Sequence, residues 1–176
     1  MGTIDDLRGK FTNMATPNRF RIYVGFPKAL GFDNKLGTDA SFMCKAASIP
    51  GETLNIIEVP YQSQILKIAG DRTYDDWNIT AYNSESWDVR TNFEIWMKMI
   101  HDPETNLRTS HGQYFADSIK IEQLSINDND VVIAAYELVN AFPTSIGDIT
   151  LDWEQNDQIE TFDVTFAYTY FKRLGV

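Results

Sequence analysis

The chain has 176 residues, a net charge of −10, and 43% apolar, 13% aromatic and 23% charged residues. That is one domain's worth of chain, with enough aromatic content to exclude intrinsic disorder. The longest apolar run, 131–136, is far short of the roughly 20 residues that span a bilayer as a helix, so such a transmembrane span is excluded too.

The N-terminus carries Asp5 and Asp6, where a secretory signal has positive charge and the myristoylation pattern has a hydroxyl at position 6. With one cysteine, Cys44, no intrachain disulfide forms, and a protein made in a reducing cytoplasm is expected. Neither a repeat nor a Pro/Gly/Ser-rich linker divides the chain. A single domain over 1–176 is expected, with an N-terminal arm over 1–18 and long loops over 27–39 and 102–115.

Ile4, Leu7 and Phe11 suit a short amphipathic helical turn within that arm. Phe20, Ile22, Val24 and Phe26 alternate with polar or small neighbours, the period of a half-buried strand. A short strand is expected around Phe42, Cys44 and Ala46. Two extended segments follow, over 54–59 and 62–69, interrupted by Pro60, which belongs at an edge or turn because it has no N–H to donate. Residues 70–76 read as a polar turn, and Trp77, Ile79 and Ala81 begin the next strand. The one long helix is expected over 85–101, capped by Asn83 or Ser84, with Trp87, Phe93, Trp96, Met97 and Ile100 as its apolar stripe.

Ile119 and Ile121 are followed by Leu124 and Ile126 in the opposite phase, which implies a bulge near Glu122 and Gln123. Asn127 to Asp130 form a turn, and 131–139 returns as a strand apolar on both faces. Residues 142–147 turn again, Ile149, Leu151 and Trp153 alternate as a strand, and Glu154 to Asp157 turn. A last long strand over 159–170 puts Phe162, Val164, Phe166, Tyr168 and Tyr170 on one face. The expected fold is mainly β, an antiparallel barrel or sandwich with one flanking α-helix and extended loops. The two-sided apolar strand needs a second layer or a neighbouring subunit to cover it.

Catalytic chemistry finds little support. His101 and His111 have no zinc spacing, Cys44 is a small strand residue, and nucleophile-elbow, Walker and dinucleotide loops are all missing. Asp128-Asn129-Asp130 lacks the spacing of a calcium loop. Asp152 and Glu154 share a strand face, as a glycosidase pair would, but so do most acids two residues apart. No enzyme, metal or cofactor is expected.

The charge is uneven. Residues 109–171 hold eleven acids and a single base, Lys120, which accounts for the whole excess. Such a surface keeps a protein soluble, and it also repels a nucleic-acid backbone.

Residues 69–77, Ala-Gly-Asp-Arg-Thr-Tyr-Asp-Asp-Trp, resemble a signature of the tail tube proteins of large contractile-tailed bacteriophages. Phe42, Cys44, Lys45, Ala46 and Pro50 resemble a second family segment. The stretches 142–153 and 158–166 resemble two more, so the likeness runs in order over most of 19–170. The loops 27–39 and 102–115 depart from it. The resemblance implies hexameric rings stacked into a hollow tube in the virion tail, assembled in the host cytoplasm. It implies as partners further copies of the chain, the sheath, the baseplate hub and the terminator, with the tape-measure protein and double-stranded DNA passing through the lumen unbound and no membrane involved. Asp148, Asp152, Glu154 and Asp163 are the acids expected to face that lumen. Gly70, Asp71, Arg72, Tyr74, Asp75 and Trp77 are expected to fix a turn for assembly: Gly70 permitting it, Arg72 bonding Asp71, Asp75 or backbone carbonyls, Trp77 anchoring the strand in the core. Two alternatives stand beside this reading: the inner tube of a phage-derived injection or secretion system carrying protein, and a carbohydrate-binding β domain or virion hydrolase.

Overall fold

A computed structural model describes residues 4, 14–31, 43–128, 131–154 and 158–175. The amphipathic turn expected within the N-terminal arm, most of the loop over 27–39 and the tips of the turns at 127–130 and 154–157 lie outside the described residues.

Among the described residues, ten strands and one thirteen-residue α-helix follow one another. They are β1 (Phe20–Gly25), β2 (Cys44–Ala47), β3 (Glu52–Tyr61), β4 (Gln64–Tyr74), β5 (Trp77–Tyr82), α1 (Asp88–Ile100), β6 (Ser118–Leu124), β7 (Val132–Val139), β8 (Phe142–Ile146), β9 (Thr161–Ala167) and β10 (Tyr170–Leu174). One four-stranded sheet has the order β1-β6-β7-β10 and a second has β2-β5-β9-β8, while among the described residues β3 and β4 pair only with each other. Every pairing is antiparallel.

The inward positions of the two sheets, Ile22, Val24, Ile119, Ile121, Trp77, Ile79, Phe162, Val164 and Phe166, share one core with Val89, Phe93 and Trp96 of α1. Phe166 sits at its centre, 5.6 Å from the Trp77 ring, 6.0 Å from Phe93 and 6.1 Å from Trp96. Both buried tryptophans find acceptors for their indole N–H, as burial in an apolar core requires. Trp77 donates to the Ser48 carbonyl at 2.7 Å and Trp96 to the Tyr114 carbonyl at 2.8 Å.

The mainly β architecture with one helix is the expected one, and the ladder shift in β6 falls between Gln123 and Leu124, beside the residues whose phase change announced it. Five local expectations are corrected. Residues 70–74 are the end of β4; only Asp75 and Asp76 lie outside a strand before Trp77. Their polar composition suggested a turn, yet a strand open to water on both faces has no need of apolar alternation. Helix α1 begins at Asp88, later than expected, because Trp87 sits at a left-handed φ of 58° and its N–H bonds the Ser84 carbonyl in a turn; no side chain caps it, and Trp87 is exposed. Residues 142–146 are strand β8, where Pro143 is tolerated because β8 forms a sheet edge; the chain turns at Asn140, φ 56°. Residues 149–154 form no ladder among the described residues despite their alternation. The last long strand is two, because the chain leaves β9 at Tyr168 and Thr169 and crosses to the other sheet as β10.

Candidate assembly surface

Strands β3 and β4 make an arm of ten and eleven residues joined at Gln62 and Ser63, where Gln62 takes the left-handed φ of 53° that so tight a turn demands. Its register pairs Ile57 with Ile68, Val59 with Leu66 and Tyr61 with Gln64, so Ile57, Val59, Tyr61, Leu66 and Ile68 share one face. All five are exposed, from 40% at Val59 to 71% at Tyr61. The opposite face carries Ile56, Pro60 and Ile65 around a Glu58–Lys67 ion pair of 3.7 Å. Pro60 lies within β3, which it does not interrupt, because a two-stranded arm leaves that edge free. An isolated two-stranded sheet is marginal in water. Such an arm, apolar on one whole face, is built to be covered.

The six motif residues serve this arm. Gly70 lies in β4 opposite the ladder shift between Leu54 and Ile56; a β-carbon there would stand 3.1 Å from the Asn55 carbonyl oxygen, so the glycine admits the bulged backbone and makes no turn. Arg72 reaches across the ladder to Glu52 at 2.9 Å, an exposed pair, and not to Asp71 or Asp75. Tyr74 holds the arm's base to the body, its ring 5.6 Å from Phe171 and 6.0 Å from Tyr168. Trp77, just beyond, is fully buried in the core. Asp71 and Asp75 are exposed.

The four candidate acids are all exposed and gather at one end of the β8–β9 pair. Asp163 stands on the outward face of its sheet, where its Oδ1 accepts from the Thr80 hydroxyl at 2.6 Å. On the same face Thr165 donates to the Asn78 side-chain oxygen at 2.6 Å, and the Thr144 hydroxyl to the Thr165 carbonyl at 3.2 Å. Asp148, Asp152 and Glu154 belong to the segment between β8 and β9. Asp152 accepts from the Glu154 backbone N–H at 3.0 Å, which makes this pair a local turn. Leu151, Trp153 and Ile159 of the same segment are strongly exposed, Trp153 completely. The sequence flagged these acids, and read the apolar side chains between them only as alternating strand residues.

The other outward sheet face, on β1-β6-β7-β10, is of different character. Tyr23, Lys120, Glu137 and Lys172 line up across its four strands, beside an Arg21–Glu122 contact of 3.9 Å. Elsewhere the chemistry-bearing residues have local roles. His101 pairs with the Asn106 side chain at 3.0 Å, and His111 packs edge-on against Phe115. Cys44 faces the Thr80 carbonyl, and burial pushes its thiol up to about 11, opposed by a weaker hydrogen bond to Ala46. Among the described residues no cluster of three or more His, Cys, Asp or Glu could hold a metal ion.

Comparison with known proteins bears on the family and the fold. The sequence model described as "Phage tail tube protein" matches residues 15–174. The chain is 29% identical over 171 residues to the tail tube protein gp19 of Enterobacteria phage T4, covering 96% of this chain and 99% of that one. It is 26% identical over 172 residues to the tail tube protein of Serratia phage KSP90, covering 96% and 95%. Its fold is similar to a chain of the PVC sheath–tube complex of an extracellular contractile injection system, with a TM-score of 0.60 at 17% identity and full coverage of both chains. A chain of the PVC sheath/tube terminator gives 0.66 at 16% identity, covering 92% and 97%. The chain belongs to the phage tail tube protein family, a non-enzymatic structural component of the phage tail.

Proposed function

We propose that this protein polymerises as stacked hexameric rings into the inner tube of a contractile phage tail, within the virion, and that the genome leaves through its bore. The single observation that carries this is the arm. Five large apolar side chains on one face of a two-stranded ladder are left in water by the chain that makes them. Covering each would contribute about 1.5–3 kcal/mol at full burial. Copies of the same chain are the cover a homopolymer always has at hand. Sheath subunits would surround the tube, and the baseplate hub and terminator would close its ends, in keeping with the fold shared with sheath–tube and terminator assemblies.

A conduit for DNA has to avoid holding it. Each lysine or arginine on a phosphate adds salt-dependent affinity, and a series of such contacts would stall a moving duplex. The outward face of β5 and β9 suits the bore: Asn78, Thr80, Asp163 and Thr165 satisfy one another's hydrogen bonds, and Asp163 adds negative charge. The face carrying Arg21, Lys120 and Lys172 suits the outside. Of the four acids the sequence singled out, Asp163 is the one proposed for the lumen. DNA is the cargo favoured over protein because the curated relatives are tail tube proteins of phages, whereas the likeness to injection systems is one of fold.

The test is negative-stain microscopy of the purified chain, alone and seeded with its native baseplate. Rings and tubes are expected for the natural sequence, and a soluble particle without tubes for Ile57→Asp combined with Leu66→Asp. A natural chain that stays monomeric with the seed present would defeat the proposal.

A further inference from the structure

We propose that the segment 149–154 of one copy adds as a third strand to the free β4 edge of the arm of a neighbouring copy. This rests on the self-assembly reading above and names two of the surfaces that meet. Three independent observations converge. The segment has the period of a strand, Ile149, Leu151 and Trp153 alternating with Thr150, Asp152 and Glu154, yet its backbone forms no ladder with the described residues of its own chain; the turn at Trp153 and Glu154 would open as the strand adds. Of its apolar members, Ile149 is half-buried against the chain's own core, while Leu151 and Trp153 are exposed to 76% and 100%. The arm lacks what such a segment supplies, since a ladder gains independent stability from a third strand and an open edge is a template for one.

Charge chooses the edge. Strand β3 carries Glu52 and Glu58, while β4 carries Lys67 and Arg72 with one acid, Asp71, so β3 is purely acidic and both bases of the arm lie on β4. The segment carries only acids. Against β3 its Asp152 and Glu154 would meet like charge; against β4 they meet Lys67. The faces agree as well. Leu66 and Ile68 point to the apolar face and Lys67 to the opposite one. Strand addition with Leu151 and Trp153 beside Leu66 and Ile68 therefore places Asp152 and Glu154 on the side of Lys67.

The test uses the full-length chain with Cys44→Ser, assembled on its baseplate and oxidised, because neighbouring strands bring β-carbons within disulfide reach. Lys67→Cys is combined in turn with cysteine at positions 150 to 154, and Leu66→Cys with the same set. Tubes whose chains link between copies from 67 to the even positions, and from 66 to the odd ones, establish the strand. Tubes that show no link between copies, links without regard to parity, or links within one copy overturn the inference and leave the tube reading intact. If the natural chain makes no tubes, both fall. Charge exchange answers the question without cysteines: Asp152→Lys and Lys67→Glu each lower tube yield about tenfold, and the pair together restores it. A pair that assembles no better than either single change also overturns the inference.

Discussion

Gly70 lies directly against the bulge at Asn55, close enough that a β-carbon would come within 3.1 Å of the Asn55 carbonyl oxygen and 3.2 Å of Ile57 Cγ1. The arm's irregular ladder and its glycine are thus a matched pair. Gly70→Val displaces β3 at the point from which the apolar face extends. Because the arm is outside the core, the expected result is loss of tube formation with a melting temperature changed by no more than about 2 °C. Thermal unfolding and microscopy on one preparation check this; normal tubes would show that the bulge does not matter.

Cys44 is held as a neutral thiol by burial, with its pKa raised from 9.0 to about 11. At pH 8 its thiolate fraction is about a hundredfold below that of an unperturbed thiol, so a thiolate-specific reagent should label it about a hundredfold more slowly than the unfolded chain. Linkage follows with a definite sign. Between pH 9 and 11 the unfolded state loses the proton that the folded state keeps, so stability falls as pH rises through that window. Cys44→Ala should flatten that part of the pH–stability curve.

Tyr168 buries a hydroxyl that has no hydrogen-bond partner among the described residues, at the base of the arm beside Tyr74. Burial, and then Asp75, raises its pKa. A buried polar atom left unsatisfied costs about 1–3 kcal/mol, so Tyr168→Phe should be neutral or stabilising by up to about 1 kcal/mol. Chemical denaturation measures it, and a clear loss of stability would reveal a partner for the hydroxyl.

Asp163→Lys reverses a charge on the face proposed for the bore, with the Thr80 hydroxyl losing an acceptor. The expected particles assemble normally and release their genome more slowly, and the delay shrinks as salt rises because each lysine–phosphate contact is salt-dependent. Ejection kinetics in well-formed particles at two ionic strengths decide it. Unchanged rates would place Asp163 away from the DNA.

The sequence announces those elements whose partners lie within the chain. Strands β1 and β5 bury one face each, so their period of two is plain, and Phe93 and Trp96 mark the buried side of α1. Where the governing contact lies elsewhere, pattern misleads. Residues 71–73 are polar because both their faces meet water, and with their neighbours they passed for a turn. Alternation runs on unbroken through Tyr168 and Thr169 while the backbone changes sheets. Ile149, Leu151 and Trp153 carry the pattern of a strand that has no neighbour among the described residues. The acids of the candidate surface were legible as charge, but composition cannot separate Asp163 on a sheet face from Asp152 in a turn; that distinction needs the register of β9.

The decisive measurement is a helical cryo-microscopy reconstruction of the assembled tube at side-chain resolution. Ile57, Val59, Leu66 and Ile68 should lie buried against another copy, with Thr80 and Asp163 lining the channel. Finding that apolar face open to solvent, or covered only by sheath, would contradict assembly through the arm.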